Sequence, residues 1–272
     1  MGLLEQVRRG RHVAPRRTLL YGLAGVGKSS FAATSRRPIF IPTEDGLDGI
    51  ACDRFPLARS TQDIMDALDG LRTGQHDYGT VVIDSLDWAE RLIFDAVCAE
   101  FGVKYLEKAD GGYGKGYTYT LPRWRKLLEA LDTLRVDRGL SVILIAHAKS
   151  EKFQTPEDSA CDRFAPRLHK LASALVQEWS DEILFATFSS VTNPRNNTSG
   201  EAPERVMRTC EGPSHMAKNR LGMPAVLPLE WAAYDYFTNL AATGAGVTGD
   251  AAAPAAEAAN TAPAAEGEKS NV

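Results

Sequence analysis

Gly22-Leu23-Ala24-Gly25-Val26-Gly27-Lys28-Ser29 is a full G-x-x-x-x-G-K-S phosphate loop, set between the strand-like run Thr18-Leu19-Leu20-Tyr21 and the helical continuation Ser30-Phe31-Ala32-Ala33. Glycines let the backbone N–H groups converge on phosphate oxygens, and the helix N-terminus that follows favours an anion. The spacing predicts that Lys28 reaches the β- and γ-phosphates of a nucleotide and that Ser29 holds Mg²⁺. Gly22, Leu23, Ala24, Gly25, Val26, Gly27, Lys28, Ser29 and Ser30 together form the expected cradle.

Working outward, Tyr78-Gly79-Thr80-Val81-Val82-Ile83-Asp84 is a β-branched apolar run that ends in a carboxylate. Such a strand is buried on both faces and delivers its terminal Asp to the metal beside a phosphate loop. Asp84 and Ser29 are therefore the expected Mg²⁺ residues. Further strands are expected at Pro38–Ile41, Arg54–Ala58, Leu140–Ala146 (ending in His147), Glu182–Phe188 and, at an edge, Arg205–Thr209. Helices are expected after a Ser60/Asp63 capping box, over 86–101 with Trp88 on its apolar face, over 121–138 and over 168–179. Strands alternating with helices specify an α/β fold with a largely parallel sheet.

At 272 residues the chain suits one elaborated domain, and its 44% hydrophobic and 24% charged content is that of a globular protein. It contains no run of about 18 apolar residues and no signal-type hydrophobic stretch, so no membrane association and a reducing cytoplasm are expected. Cys52, Cys98, Cys161 and Cys210 are scattered without a C-x-x-C pair, which argues against a zinc site or a disulfide framework. A net charge of −4 does not announce nucleic-acid binding, so basic surface must be sought locally. Residues 1–17 form a basic arm with Arg8, Arg9, Arg11, Arg16 and Arg17, either phosphate-contacting or merely solvated. The domain proper spans 18–240. Residues 241–272 turn to Ala, Pro, Gly and Glu and read as a disordered tail, inert or partner-recruiting.

Two segments break the alternation. Lys104 to Thr120 interleaves Lys104, Lys108 and Lys115 with Tyr105, Tyr113, Tyr117 and Tyr119 among glycines. Cations and stacking faces on a mobile loop suit single-stranded nucleic acid, and a flexible loop with incidental tyrosines is the competing reading. Ala148 to Pro166, with Lys149, Lys152 and Arg163, reads as a second mobile loop. Lys218-Asn219-Arg220 reads as an exposed basic turn.

Several residues resemble the RecA-type ATPase core. Phe40-Ile41-Pro42-Thr43-Glu44-Asp45-Gly46-Leu47-Asp48 is similar to the stretch whose glutamate activates the attacking water, which implies Glu44 as general base. Asp84-Ser85 is similar to the family's metal-binding strand end, and His147 stands where the family carries a γ-phosphate sensor, often glutamine. Lys218-Asn219-Arg220 resembles a basic turn that reaches the neighbouring subunit's nucleotide, implying self-association with Lys218 and Arg220 acting in trans. By position, the two loops resemble the family's DNA-binding loops. The ending Ala217-Lys218-Asn219-Arg220-Leu221-Gly222-Met223-Pro224 looks most like phage-encoded RecA-like ATPases of single-strand annealing and recombination. The resemblance implies an ATP- and Mg²⁺-dependent, single-stranded-DNA-dependent ATPase in a host cytoplasm, with a single-strand-binding or recombination protein as a further partner. A hexameric helicase, a packaging motor, and a DNA-binding module using ATP as a structural ligand are the alternatives.

Overall fold

The computed structural model describes Glu5, Val7 and residues 13–153, 161–189 and 203–243. Its sheet is built from β1 (Arg17–Gly22), β2 (Pro38–Pro42), β3 (Asp53–Arg54), β4 (Thr80–Asp84), β5 (Ser141–Phe153), β6 (Cys161–Pro166), β7 (Glu182–Phe188), β8 (Arg205–Arg208) and β9 (Val226–Pro228). The order across the sheet is β3-β2-β4-β5-β1-β7-β8-β9, with β6 paired only to β5. β1, β2, β3, β4, β5 and β7 run parallel, and β8 and β9 close one side antiparallel. The largely parallel α/β sheet is thus as the sequence implies.

Side-chain alternation along the strands divides the core into two faces. Leu19, Tyr21, Ile39, Ile41, Val81, Ile83, Val142 and Leu144 point to one side. There they meet α2 (Thr61–Thr73), α3 (Leu86–Glu100), α4 (Gly116–Arg138) and α5 (Lys170–Trp179), through residues such as Leu68, Ile93, Leu131 and Val176. Leu20, Phe40, Val82, Ile143 and Leu184 point to the other side, under α1 (Lys28–Ala33) and α6 (Trp231–Thr243). The Ser60/Asp63 capping box is present: the Asp63 N–H donates to Ser60 Oγ, and the Ser60 N–H to Asp63.

Several boundaries differ from the sequence expectation. The strand expected at 54–58 is instead the two-residue strand Asp53–Arg54, which pairs with β2 and shares only Arg54 with the expectation. Trp88 is not in the core; its ring is partly exposed, with the Arg91 guanidinium 4.1 Å from its centroid. β5 does not end at His147 but runs on into a hairpin with β6, so Lys149, Lys152 and Arg163 lie on strands and not on a loop. Residues 154–160 between them are outside the description. β8 is not an edge, because β9 covers it.

α4 begins at Gly116, five residues before Leu121, and a short 3-10 segment, Leu106–Gly111, precedes it. Pro122 invites a helix start just before it, since proline fits a first turn. Aromatic contacts extend the helix backwards instead: Tyr117 stacks on His169 at 4.0 Å and Tyr119 packs on Phe101 at 4.7 Å. At the other end of the chain α6 reaches Thr243, three residues into the expected tail. Residues 244–272, the connection at 192–202 and Arg8, Arg9 and Arg11 of the arm lie outside the described residues.

Candidate active site

The parallel strands bring their C-terminal ends to one edge, and register decides which residues meet there. Gly22 of β1 is paired with His147 of β5, and Pro42 of β2 with Asp84 of β4. Ligands of open α/β sheets bind at this edge. The phosphate loop leaves β1 there and turns back into α1. Gly27 adopts φ 104°, a conformation L side chains rarely take, so the loop's last turn needs glycine. Gly22 is glycine for another reason: a Cβ there would lie 2.1 Å from the Ala186 carbonyl oxygen on β7.

Ser29 Oγ donates to Asp84 Oδ2 at 2.6 Å, joining the loop to the end of β4. Burial raises the Asp84 carboxyl above the ordinary aspartate value, and Ser29 and Lys28 oppose that rise. A buried carboxylate and a hydroxyl in contact are hard oxygen donors, and they fit Mg²⁺. Lys28 Nζ donates to the carbonyls of Gly22 (3.3 Å) and Leu23 (2.9 Å), and its burial lowers its pKa. The end of β2 is tied to the same point, because the Thr43 N–H donates to Asp84 O at 2.7 Å and Thr43 Oγ1 to Ser85 O at 2.6 Å. That anchor aims the next residue, Glu44, into a cleft of about 420 Å³ that it shares with Gly25, Lys28, Ser29, Asp84 and His147.

His147 is 3.9 Å from Glu44 Oε1 through Nδ1, and the same nitrogen is 3.2 Å from both oxygens of Asp87. Asp87, buried in the first turn of α3, also accepts the His147 backbone N–H at 3.0 Å and the Arg167 Nε–H at 3.0 Å. Burial alone would raise this carboxyl, yet the hydrogen bonds from His147 and Arg167 hold it well below the usual range. Three residues on, Glu90 lies under the same segment and accepts the His169 N–H with both oxygens at 3.0 Å. With no charged donor, burial dominates and Glu90 is pushed up to about 7.

A family model described as an AAA domain matches residues 14–221. The chain belongs to that AAA-domain family. A curated relative, the SPbeta prophage-derived uncharacterized protein YorG of Bacillus subtilis (strain 168), is 23% identical over 205 residues, which is 74% of this chain. The match spans 58% of that relative's length. Among solved structures the chain is similar to the RadB recombinase, with a TM-score of 0.41 at 13% identity, covering 72% of this chain and 81% of that one.

Within this AAA-domain chain, Gly25, Gly27, Lys28, Ser29 and Ser30 of the expected cradle converge with Glu44, Asp84 and His147 on one cleft, Val26 is buried in the core, and the expected residues outside the cradle are dispersed. Lys218 is not a free cation: its Nζ donates to the carbonyls of Gln177 (2.9 Å) and Ser180 (2.5 Å) at the C-terminus of α5. A lysine there satisfies orphan carbonyls and complements the helix dipole. Arg220 remains half-exposed and pairs with Asp181 at 3.1 Å. Arg163 is also spent internally; it is 5% exposed, pairs with Glu211 and lies 4.4 Å over the Phe153 ring. Its position facing inward on β6, not on a loop, is the reason. Arg16 and Arg17 of the arm pair with Glu182 and Asp181.

The remaining basic and aromatic residues divide in two. Tyr117 donates to Glu107 (2.7 Å) and Tyr119 to Asp110 (2.9 Å), so both are bound within the fold. Tyr113 is fully exposed, and Tyr105 is half-exposed with Lys104 and Lys108 5.4 and 5.8 Å from its ring centroid. Lys115 pairs with Asp110, Lys152 with Asp162, and Lys149 with Glu151. Among the described residues no helix is long and apolar enough to cross a membrane. Sequence reasoning missed Asp87, Glu90, Arg167 and Thr43, none of which belongs to a spaced motif. It also left Arg205 on an edge strand, although its side chain borders the cleft.

Proposed function

We propose that this AAA-domain protein binds ATP and hydrolyses it to ADP and phosphate, with single-stranded DNA as activator, in phage-type recombination or annealing. The observation that carries the nucleotide part is the Ser29–Asp84 hydrogen bond of 2.6 Å beside Lys28 in the cleft that also holds Glu44. Ser29 and Asp84 would hold Mg²⁺, which supplies Lewis-acid neutralisation of phosphate charge. Lys28, on leaving the Gly22 and Leu23 carbonyls, donates to phosphate oxygens. Glu44 accepts a hydrogen bond from water and orients it for in-line attack. His147, tied to Asp87, stands at the far side of the same cleft.

The nucleic-acid part rests on Tyr105 with its two lysines, on exposed Tyr113 and on Lys152, which is 78% exposed along its side chain. Self-association that brings Arg220 to a neighbour's nucleotide belongs to the same proposal, as do a recombination partner protein and a cytoplasmic site of action.

The test is the steady-state ATP hydrolysis rate, with and without single-stranded DNA, over a range of protein concentrations. Stimulation by DNA and a rate rising faster than linearly with protein are expected, with Lys28→Ala inactive. A rate equal in the wild type and Lys28→Ala overturns the ATPase reading. A rate indifferent to DNA overturns the nucleic-acid part.

A further inference from the structure

The parallel strands have a second edge, at their N-terminal ends, where β1, β4 and β5 begin near Thr18, Thr80 and Ser141. A cavity of about 480 Å³ opens there, at the opposite end of the strands from the cleft that holds Lys28 and Glu44. Arg16, Arg36, Arg37 and Arg138 line it, against Asp235 as the one carboxylate among the described lining residues. Their partners differ. Arg16 is held by buried Glu182, Arg37 pairs with Asp77 at 3.1 Å, and Arg138 donates to the carbonyls of Arg72 (3.3 Å) and Gly74 (2.8 Å). Asp235 is occupied too, accepting from Thr238 Oγ1 at 3.1 Å and Asn239 Nδ2 at 2.9 Å. Arg36 is exposed and, alone of the four, has no hydrogen bond or ion pair from its guanidinium to a described residue.

The backbone fixes Arg36 at this rim. Arg37 adopts φ 42°, in the left-handed region that side chains disfavour, and its carbonyl accepts the Gly79 N–H at 3.0 Å. The Arg36 carbonyl accepts Thr80 Oγ1 at 3.0 Å. A Cβ on Gly79 would lie 2.8 Å from that carbonyl oxygen and 3.2 Å from Arg36 Cγ, so glycine lets the arginine stem lie against the start of β4. Backbone strain held in place by its neighbours is a recurrent feature of ligand sites.

We propose that this cavity binds a phosphate monoester, with the Arg36 guanidinium as its principal contact and Arg37 and Arg138 adding charge. The guanidinium fork matches phosphate oxygens, and clustered cations favour a dianion over a single carboxylate. The volume is that of a small-ligand site, and the rings of Tyr78 and Trp231 on its wall suit the organic part of the ester. The inference is independent of the nucleotide reading above, because no residue of the phosphate loop lines this cavity.

The test is calorimetric titration of the full chain with thymidine 5′-monophosphate and with thymidine. Arg36→Ser is expected to weaken the monophosphate at least about tenfold, the scale of one charge-assisted contact, and Lys28→Ala to leave it within about twofold. Ala242→Trp, a filling change at an exposed lining position, is expected to block the cavity without touching an arginine. Thymidine bound as tightly as the monophosphate, full retention in both Arg36→Ser and Ala242→Trp, or loss in Lys28→Ala would each overturn the site. A short oligothymidylate with and without a 5′-phosphate separates the sources of the ester. Preference for the phosphorylated strand, lost in Arg36→Ser, assigns a strand end; equal binding of the two strands beside a retained monophosphate site assigns a free small molecule.

Discussion

Glu90 offers a quantitative check on the buried carboxylates of α3. Its carboxyl is pushed from 4.5 to about 7 by burial, which the His169 N–H and the charge of Lys149 only partly offset. A raised folded-state pKa means the protonated form is the one the fold prefers. Its contribution is fully present below the unfolded value and is lost as pH rises through the folded one. Between pH 5 and pH 8 the wild type should lose roughly 2 to 3 kcal/mol from this group, at about 1.4 kcal/mol for each pH unit that separates the folded from the unfolded value. Glu90→Gln keeps an oxygen to accept the His169 N–H but has nothing to ionise. Urea unfolding of both proteins across that range should show near-equal stability at pH 5 and a more stable Gln variant at pH 8. Parallel pH curves would refute the claim that Glu90 is held protonated by burial.

Glu44→Gln should bind ATP within about threefold of the wild type while kcat falls by at least about 100-fold, the scale of a lost general base. Equilibrium binding and single-turnover hydrolysis measure the two separately, and normal turnover would move the base elsewhere. Lys218→Met should lower unfolding stability by about 1 to 2 kcal/mol through loss of the α5 carbonyl contacts. Its hydrolysis per folded protomer should persist; unchanged stability with lost concentration dependence would restore a trans role for Lys218.

The fold was readable because each buried parallel strand is a continuous apolar run, and because the phosphate loop and Asp84 mark two strand ends that register then brings together. Glu44 and His147 were reachable for the same reason, each following a strand that ends at the same edge. Asp87 was not, since an aspartate in the first turn of a helix ordinarily faces water and favours the dipole. Only the return of the chain after β6, which brings Arg167 to it, turns that residue inward. Lys218 misled in the opposite direction. A basic turn looks solvent-facing until the end of α5, forty residues earlier in sequence, arrives beneath it. Tyr117 and Tyr119 misled through local composition: glycines around them signal a loop, but long-range stacking on His169 and Phe101 decides for helix. What the sequence hid is mostly tertiary pairing of charges, which has no period and no fixed spacing.

Asp87 also constrains what His147 can do in the cleft. An ionised carboxylate only accepts, so the ring nitrogen 3.2 Å from it, Nδ1, carries the proton. In the neutral ring Nε2 is then an acceptor, and an acceptor repels a phosphate oxygen. A glutamine in the same place would always offer a donor. Three further contacts hold the residue in this orientation. The His147 N–H is bound to Asp87, its carbonyl accepts the Arg167 N–H at 2.8 Å, and Arg167 returns to Asp87. Both roots of the β5–β6 hairpin are thereby fixed to one carboxylate at the edge of the cleft that holds Lys28, Asp84 and Glu44.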